Sequence, residues 1–151
     1  MMMSREADLF AFDVSDQEAE RIADELDGDL GQQSQFDETH GYYVDGVEPK
    51  TVVLPEDWRD RSKRCSSPAT GDVVAIVPHP DDIALAKLCA GREKDIDWVA
   101  AAQSVGIVSL ASMAERVDKL PGRTSEQREH IRKLIQIVEH RGAKPPISPG
   151  A

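Results

Sequence analysis

An apolar helical run with one lysine inside it, Ile83-Ala84-Leu85-Ala86-Lys87-Leu88-Cys89-Ala90, opens on Pro80-Asp81-Asp82 and closes on Gly91. Proline is tolerated in a first helical turn, and aspartate there accepts orphan backbone N–H groups. Glycine just past the last apolar position is a helix stop. The small and aliphatic side chains of this run crowd more than one side, so the helix packs against several neighbours. Lys87 either snorkels to the rim or projects into a cleft that calls for positive charge. The rim is the commoner outcome, because lysine is rarely fully buried. An Arg92-Glu93-Lys94-Asp95 cluster follows directly.

A second block, Glu6-Ala7-Asp8-Leu9-Phe10, sets two carboxylates two residues apart in a segment turning apolar. On a strand this spacing sends both to one face. Paired carboxylates on one face suit a hard divalent cation, since oxygen ligands must converge on it. A solvated strand edge presents the same pattern and does so more often.

The rest of the chain supplies ordinary elements. Ser15-Asp16-Gln17-Glu18 is a capping box, and Ala19, Ile22, Ala23 and Leu26 follow at helical spacing, which predicts a helix from Ser15 to Asp27 with Gly28 as its stop. The polar, glutamine-rich stretch 31–39 predicts a loop. Tyr42-Tyr43-Val44 and Thr51-Val52-Val53-Leu54 predict a β-hairpin. Val73-Val74-Ala75-Ile76-Val77 is a continuous apolar strand, expected to be buried on both faces. Helices are expected from Asp95 to Ser104, from Ser109 to Leu120, and after a second capping box at Thr124-Ser125-Glu126-Gln127, with Gly142 as the last stop. The class is α+β: one domain over 1–142, with a small mixed sheet at about 5–78, helices at about 80–142 and a flexible tail over 143–151.

Composition narrows the functions. Net charge is −10, from 28 acidic and 18 basic residues, which argues against broad nucleic-acid binding. Arg59-Asp60-Arg61-Ser62-Lys63-Arg64 is expected as a solvated strand or loop. No apolar run is long enough to span a membrane, and the first residues lack a signal-peptide layout, so a cytoplasmic setting is expected. Cys65 and Cys89 have no metal or redox spacing and are expected as reduced thiols. His40, His79, His130 and His140 are scattered, and His79 is expected as a turn residue.

The 80–95 block resembles the hallmark of minimal nucleotidyltransferase-like proteins, in the branch related to AbiEii toxins. Asp82, Lys87, Arg92, Lys94 and Asp95 match that pattern one by one, while Asp81 stands where the family has a histidine. Glu6-Ala7-Asp8 resembles the family's Asp-x-Asp strand, with Glu in the first place. The 36–47 and 54–61 segments resemble further recurring pieces. The resemblance implies Glu6 and Asp8 as ligands of Mg²⁺, Asp8 and Lys87 as catalytic residues, and Lys87, Arg92 and Lys94 as phosphate neutralisers. Asp82 and Asp95 would support them. It also implies a nucleoside triphosphate substrate, an RNA or protein acceptor, and a toxin–antitoxin or phage-defence setting with a cognate antitoxin or partner protein.

The family normally carries a Gly-Gly or Gly-Ser turn before the carboxylate strand, whereas Met1-Met2-Met3-Ser4 leads straight into it here. That departure implies a truncated product, or a natural derivative that has lost catalysis and transfers nucleotides poorly or not at all. Three functions follow as expectations: a metal-dependent nucleotidyltransferase, a non-catalytic binding or regulatory subunit of the same fold, or a structural module in which Lys87 and Asp95 form an internal ion-pair network. If the site is real, Glu6 and Asp8 should share a sheet with Val73–Val77, and Lys87 should point towards them.

Overall fold

The computed structural model describes residues 5–142. It is α+β and divides into two compact units, Met1–Val52 and Val53–Ala151.

The first unit contains strand β1 (Glu6–Leu9), helix α1 (Asp16–Leu30), helix α2 (Gln35–His40) and strand β2 (Tyr43–Gly46). β1 and β2 pair in parallel, and the two helices form the crossover that parallel strands require. Ser15 caps α1 by accepting the Glu18 N–H, and Ala19 and Ala23 form its buried stripe. The helix runs through Gly28, where a Cβ would meet open space, and stops at Gly31, whose N–H donates to the Asp27 carbonyl at 3.1 Å. The loop expected over 31–39 contains α2, because Ser34 accepts the Asp37 N–H at 3.2 Å and caps a helix there.

The expected hairpin does not form either. Tyr43–Gly46 finds its partner in β1, while Pro49–Thr51 turns as a 3₁₀ segment. Proline at the first position of that segment fixes φ and lacks the N–H a hairpin ladder would use.

The second unit contains strands β3 (Lys63–Cys65) and β4 (Ala75–Val77) and helices α3 (Pro80–Ala90), α4 (Glu93–Ser104), α5 (Leu110–Arg116) and α6 (Ser125–Gly142). Its core is helical. Leu85 and Leu88 of α3, Val99 of α4, Met113 of α5 and Val138 of α6 are almost wholly buried. Each such side chain contributes about 1.5–3 kcal/mol on burial. α3 ends at Gly91 with φ 68°, a conformation glycine adopts without strain. Thr124 and Gln127 cap α6 reciprocally: Gln127 N–H donates to Thr124 Oγ1, and Thr124 N–H donates to Gln127 Oε1. The expected Ser109–Leu120 helix is α5 followed by a 3₁₀ turn, Val117–Lys119. The tail expected over 143–151 lies outside the described residues.

Two expectations about the apolar strand are overturned. β4 pairs antiparallel with β3 in a ribbon of two strands, so β1 and Val73–Val77 lie in separate sheets. The run is also exposed, not buried: Val73 is 69% exposed, Val74 39% and Val77 44%. An apolar run signals affinity for a partner surface but does not say which surface supplies it. In this unit the helices fill the core among themselves.

Candidate metal centre and charged networks

Residues paired across a ladder share a face, so Glu6 with Tyr43 and Asp8 with Asp45 project from one side of the β1–β2 pair. Gly46, one residue on, faces the other way, where a Cβ would stand 2.1 Å from the Ala23 carbonyl oxygen of α1. α1 therefore covers one face and leaves the acidic face outward. There, one carboxylate oxygen from each of Glu6, Asp8 and Asp45 lies within 4.8 Å of the other two. Glu6 and Asp45 are half-buried and Asp8 is exposed.

The Tyr43 hydroxyl donates to Glu6 Oε2 at 3.4 Å. Burial first, then the Glu6 and Asp45 charges, push the phenol above its ordinary range. Three converging carboxylates of this kind fit a hard dication, which takes oxygen ligands and keeps several waters. Sequence reasoning reached Glu6 and Asp8 but missed Asp45, which it read as part of a connection. The available signal was parity: Asp45 alternates with Tyr43 at the end of a β-rich run.

A second acidic group is built on the start of α3. His79 is the N-cap, its Nδ1 accepting the Asp81 N–H at 3.2 Å. That nitrogen also lies 3.1 Å from Arg61 Nη2. Asp82 is fully buried. It accepts Arg116 Nε at 2.8 Å, Arg116 Nη2 at 3.2 Å and Arg61 Nη1 at 3.0 Å. Asp81, also buried, accepts the Ser109 N–H at 2.8 Å. Arg116 extends to Asp57 Oδ1 at 2.6 Å, and Lys119 closes on the same carboxylate. Hydrogen bonds from Arg116 and Lys119 hold the Asp57 carboxyl well below its ordinary range.

Three aspartates thus face Arg61, Arg116 and Lys119, and the group is close to neutral. Such a network pins the start of α3 to α5 and to the turn before β3. Arg61 was expected in a solvated strand or loop, but its guanidinium turns inward to this network. Asp82, expected as a supporting residue, sits at the centre of it.

The remaining signature residues gather at the start of α4. Asp95 is buried and accepts Arg92 Nε at 2.6 Å and Arg92 Nη2 at 3.1 Å. Lys87 Nζ stands 4.0 Å from Asp95 Oδ1 and 5.1 Å from the Trp98 ring centroid, a cation–π position. Burial, the largest influence on Asp95, works against its ionisation. The Arg92 hydrogen bonds and the Arg92 and Lys87 charges together outweigh it and leave the carboxyl below its ordinary range. Lys87 keeps a side chain 25% exposed, held at the rim by an aromatic ring and a carboxylate. Lys94 is exposed on the first turn of α4. Lys87, Arg92 and Asp95 therefore form one cluster.

No helix among the described residues is long and apolar enough to cross a membrane. Comparison with known proteins gives two relationships. The chain is 40% identical over 80 residues to the C subunit of the aspartyl/glutamyl-tRNA(Asn/Gln) amidotransferase of Sinorhizobium fredii, covering 52% of this chain and 81% of that protein. The C subunit of the glutamyl-tRNA(Gln) amidotransferase of Rhizobium meliloti is similar to the same extent, 40% over 80 residues. The corresponding protein of Brucella anthropi is 37% identical over 81 residues, 82% of its length. No solved structure matches. A family model described as a nucleotidyltransferase of unknown function, DUF6036, matches residues 2–139, nearly the whole chain, and the protein belongs to that family.

Proposed function

We propose that Glu6, Asp8 and Asp45 hold a divalent cation, Mg²⁺, and through it the phosphates of a nucleoside triphosphate for nucleotidyl transfer. The observation that carries this reading is the convergence of three carboxylates on one face of a parallel strand pair, in a chain of a nucleotidyltransferase family. A bound cation would supply charge neutralisation to the phosphates. Tyr43 orients Glu6 by its hydrogen bond, and exposed Asp8 leaves the site open to a ligand. In the second unit, Asp95 sets the Lys87 and Arg92 side chains.

Titration calorimetry with Mn²⁺ and Mg²⁺, followed by incubation with each labelled nucleoside triphosphate and with RNA or protein acceptors, tests the proposal. Cation binding and label transfer that both disappear in Asp8→Ala are expected. Failure of the intact chain to bind either cation would end this reading.

A second reading is a non-catalytic subunit that acts through a partner protein. It is favoured by the likeness to amidotransferase subunits over most of their length. Cation binding without transfer to any acceptor would favour it.

A further inference from the structure

The β3–β4 ribbon carries an interaction surface, and it is independent of the carboxylate site. Five consecutive apolar residues, Val73 to Val77, lead into and form β4, whose strand is Ala75–Val77, in a sheet that has only two strands. Among the described residues, Ala75–Val77 forms a ladder with β3 and with no other strand, so its far edge has backbone groups to offer. Soluble chains blunt such edges with lysine, proline or a covering element. β3 is blunted in this way by Lys63 and Arg64, both exposed, whereas β4 has no charged residue between Val73 and Val77. The unguarded edge and the exposed valines coincide.

Charge decides between occupants. Arg59, Lys63 and Arg64 are exposed around β3 with Asp60 against them, Arg61 being drawn into the Asp82 network, in a chain whose net charge is −10. A strand added beside β4 lies two strand spacings from β3, about 10 Å, which is close to a Debye length at 0.1 M salt. Acidic residues on that strand are attracted by Lys63 and Arg64, and lysine or arginine is repelled. A second copy is the wrong ligand, because antiparallel β4–β4 pairing would bring two basic β3 strands to either side of the junction.

We propose that the β4 edge is a docking site for an extended segment of a partner protein, one whose apolar residues alternate with acidic ones and which adds as a third strand. Main-chain hydrogen bonds supply affinity in this mode, and side chains supply selectivity.

Hydrogen exchange on the full chain tests this with short probe peptides, one alternating glutamate and valine and one alternating lysine and valine. The glutamate peptide is expected to slow exchange of the outward amides of 75–77 at least tenfold. It should bind at least threefold more tightly than the lysine peptide at low salt. N-methylation along its pairing edge should abolish the protection. A Lys63→Glu, Arg64→Glu double variant changes only exposed side chains and should reverse the preference between the peptides. Absence of protection, equal binding of both peptides, or a preference unmoved in the double variant would overturn the proposal. So would protection that arises without peptide in a concentration-dependent dimer, or that only anionic vesicles produce.

Discussion

The backbone N–H of Gly46 donates to Asp27 Oδ1 at 2.5 Å, which ties the last turns of α1 to the position immediately after Asp45. Asp45 is thereby fixed by a residue that has no place in the carboxylate triad itself. Asp27→Ala removes the acceptor and should weaken Mn²⁺ binding about fivefold, the equivalent of one net hydrogen bond of about 1 kcal/mol. Asp27→Asn keeps a carbonyl oxygen at the same place and should restore most of the affinity. Calorimetry on the two variants checks the pair.

Gly46 has a second constraint. Any Cβ there would meet the Ala23 backbone at 2.1 Å, so α1 would have to withdraw from β2. Gly46→Ala is expected to destabilise the first unit by about 1–3 kcal/mol, the usual range for overpacking. The urea midpoint of a signal from Tyr42 and Tyr43 should fall accordingly.

Asp82 is the buried carboxylate on which Arg61 and Arg116 converge. Replacing it with alanine removes the buried carboxylate that Arg61 and Arg116 share and leaves Arg116 only its more exposed partner Asp57; breaking a buried pair typically costs about 3–5 kcal/mol. Chemical denaturation followed through Trp58 and Trp98 should show a loss of this size, while Lys63→Ala, at an exposed site, should leave the midpoint within about 0.5 kcal/mol of the parent.

Acid should destabilise the second unit in part through Asp95 and Asp57. Both carboxyls are held below their unfolded values, so the unfolded chain takes up protons first as pH falls. Their contribution is complete above the unfolded aspartate value of about 3.9 and is lost as pH drops through the folded values. Asp95→Asn should lower stability at neutral pH and flatten the acid limb of the stability–pH curve. A parent-like slope below about pH 4 in that variant would contradict the assignment.

Local signals in the chain were decisive for the helices. Ser15, Ser34, Ser109 and Thr124 each cap the helix that follows, and Pro80 with Gly91 bound α3. Ser34 was overlooked because the stretch around it is polar, although its Asp37 partner three residues on was visible. Strand pairing was less legible. Nothing in Tyr43-Val44-Asp45 says that its neighbour is Glu6-Ala7-Asp8, since partner choice depends on how α1 returns the chain. Asp45 was missed for that reason. Val73–Val77 shows the limit of apolar runs: hydropathy marks surface that water disfavours, not the element that covers it. The Arg61 and Arg116 contacts to Asp82 were illegible because they join residues far apart in sequence.

The parallel pairing has a consequence for how the first unit assembles. Glu6 and Tyr43 stand 37 positions apart, so the triad exists only once that segment has closed into a loop. Loop closure costs chain entropy before any contact repays it. Here the closing strand also carries Asp45 up to two carboxylates of the same sign, so the final approach runs uphill electrostatically. A divalent cation would act as a folding template for this step, and the unit's refolding rate would become a measure of cation concentration.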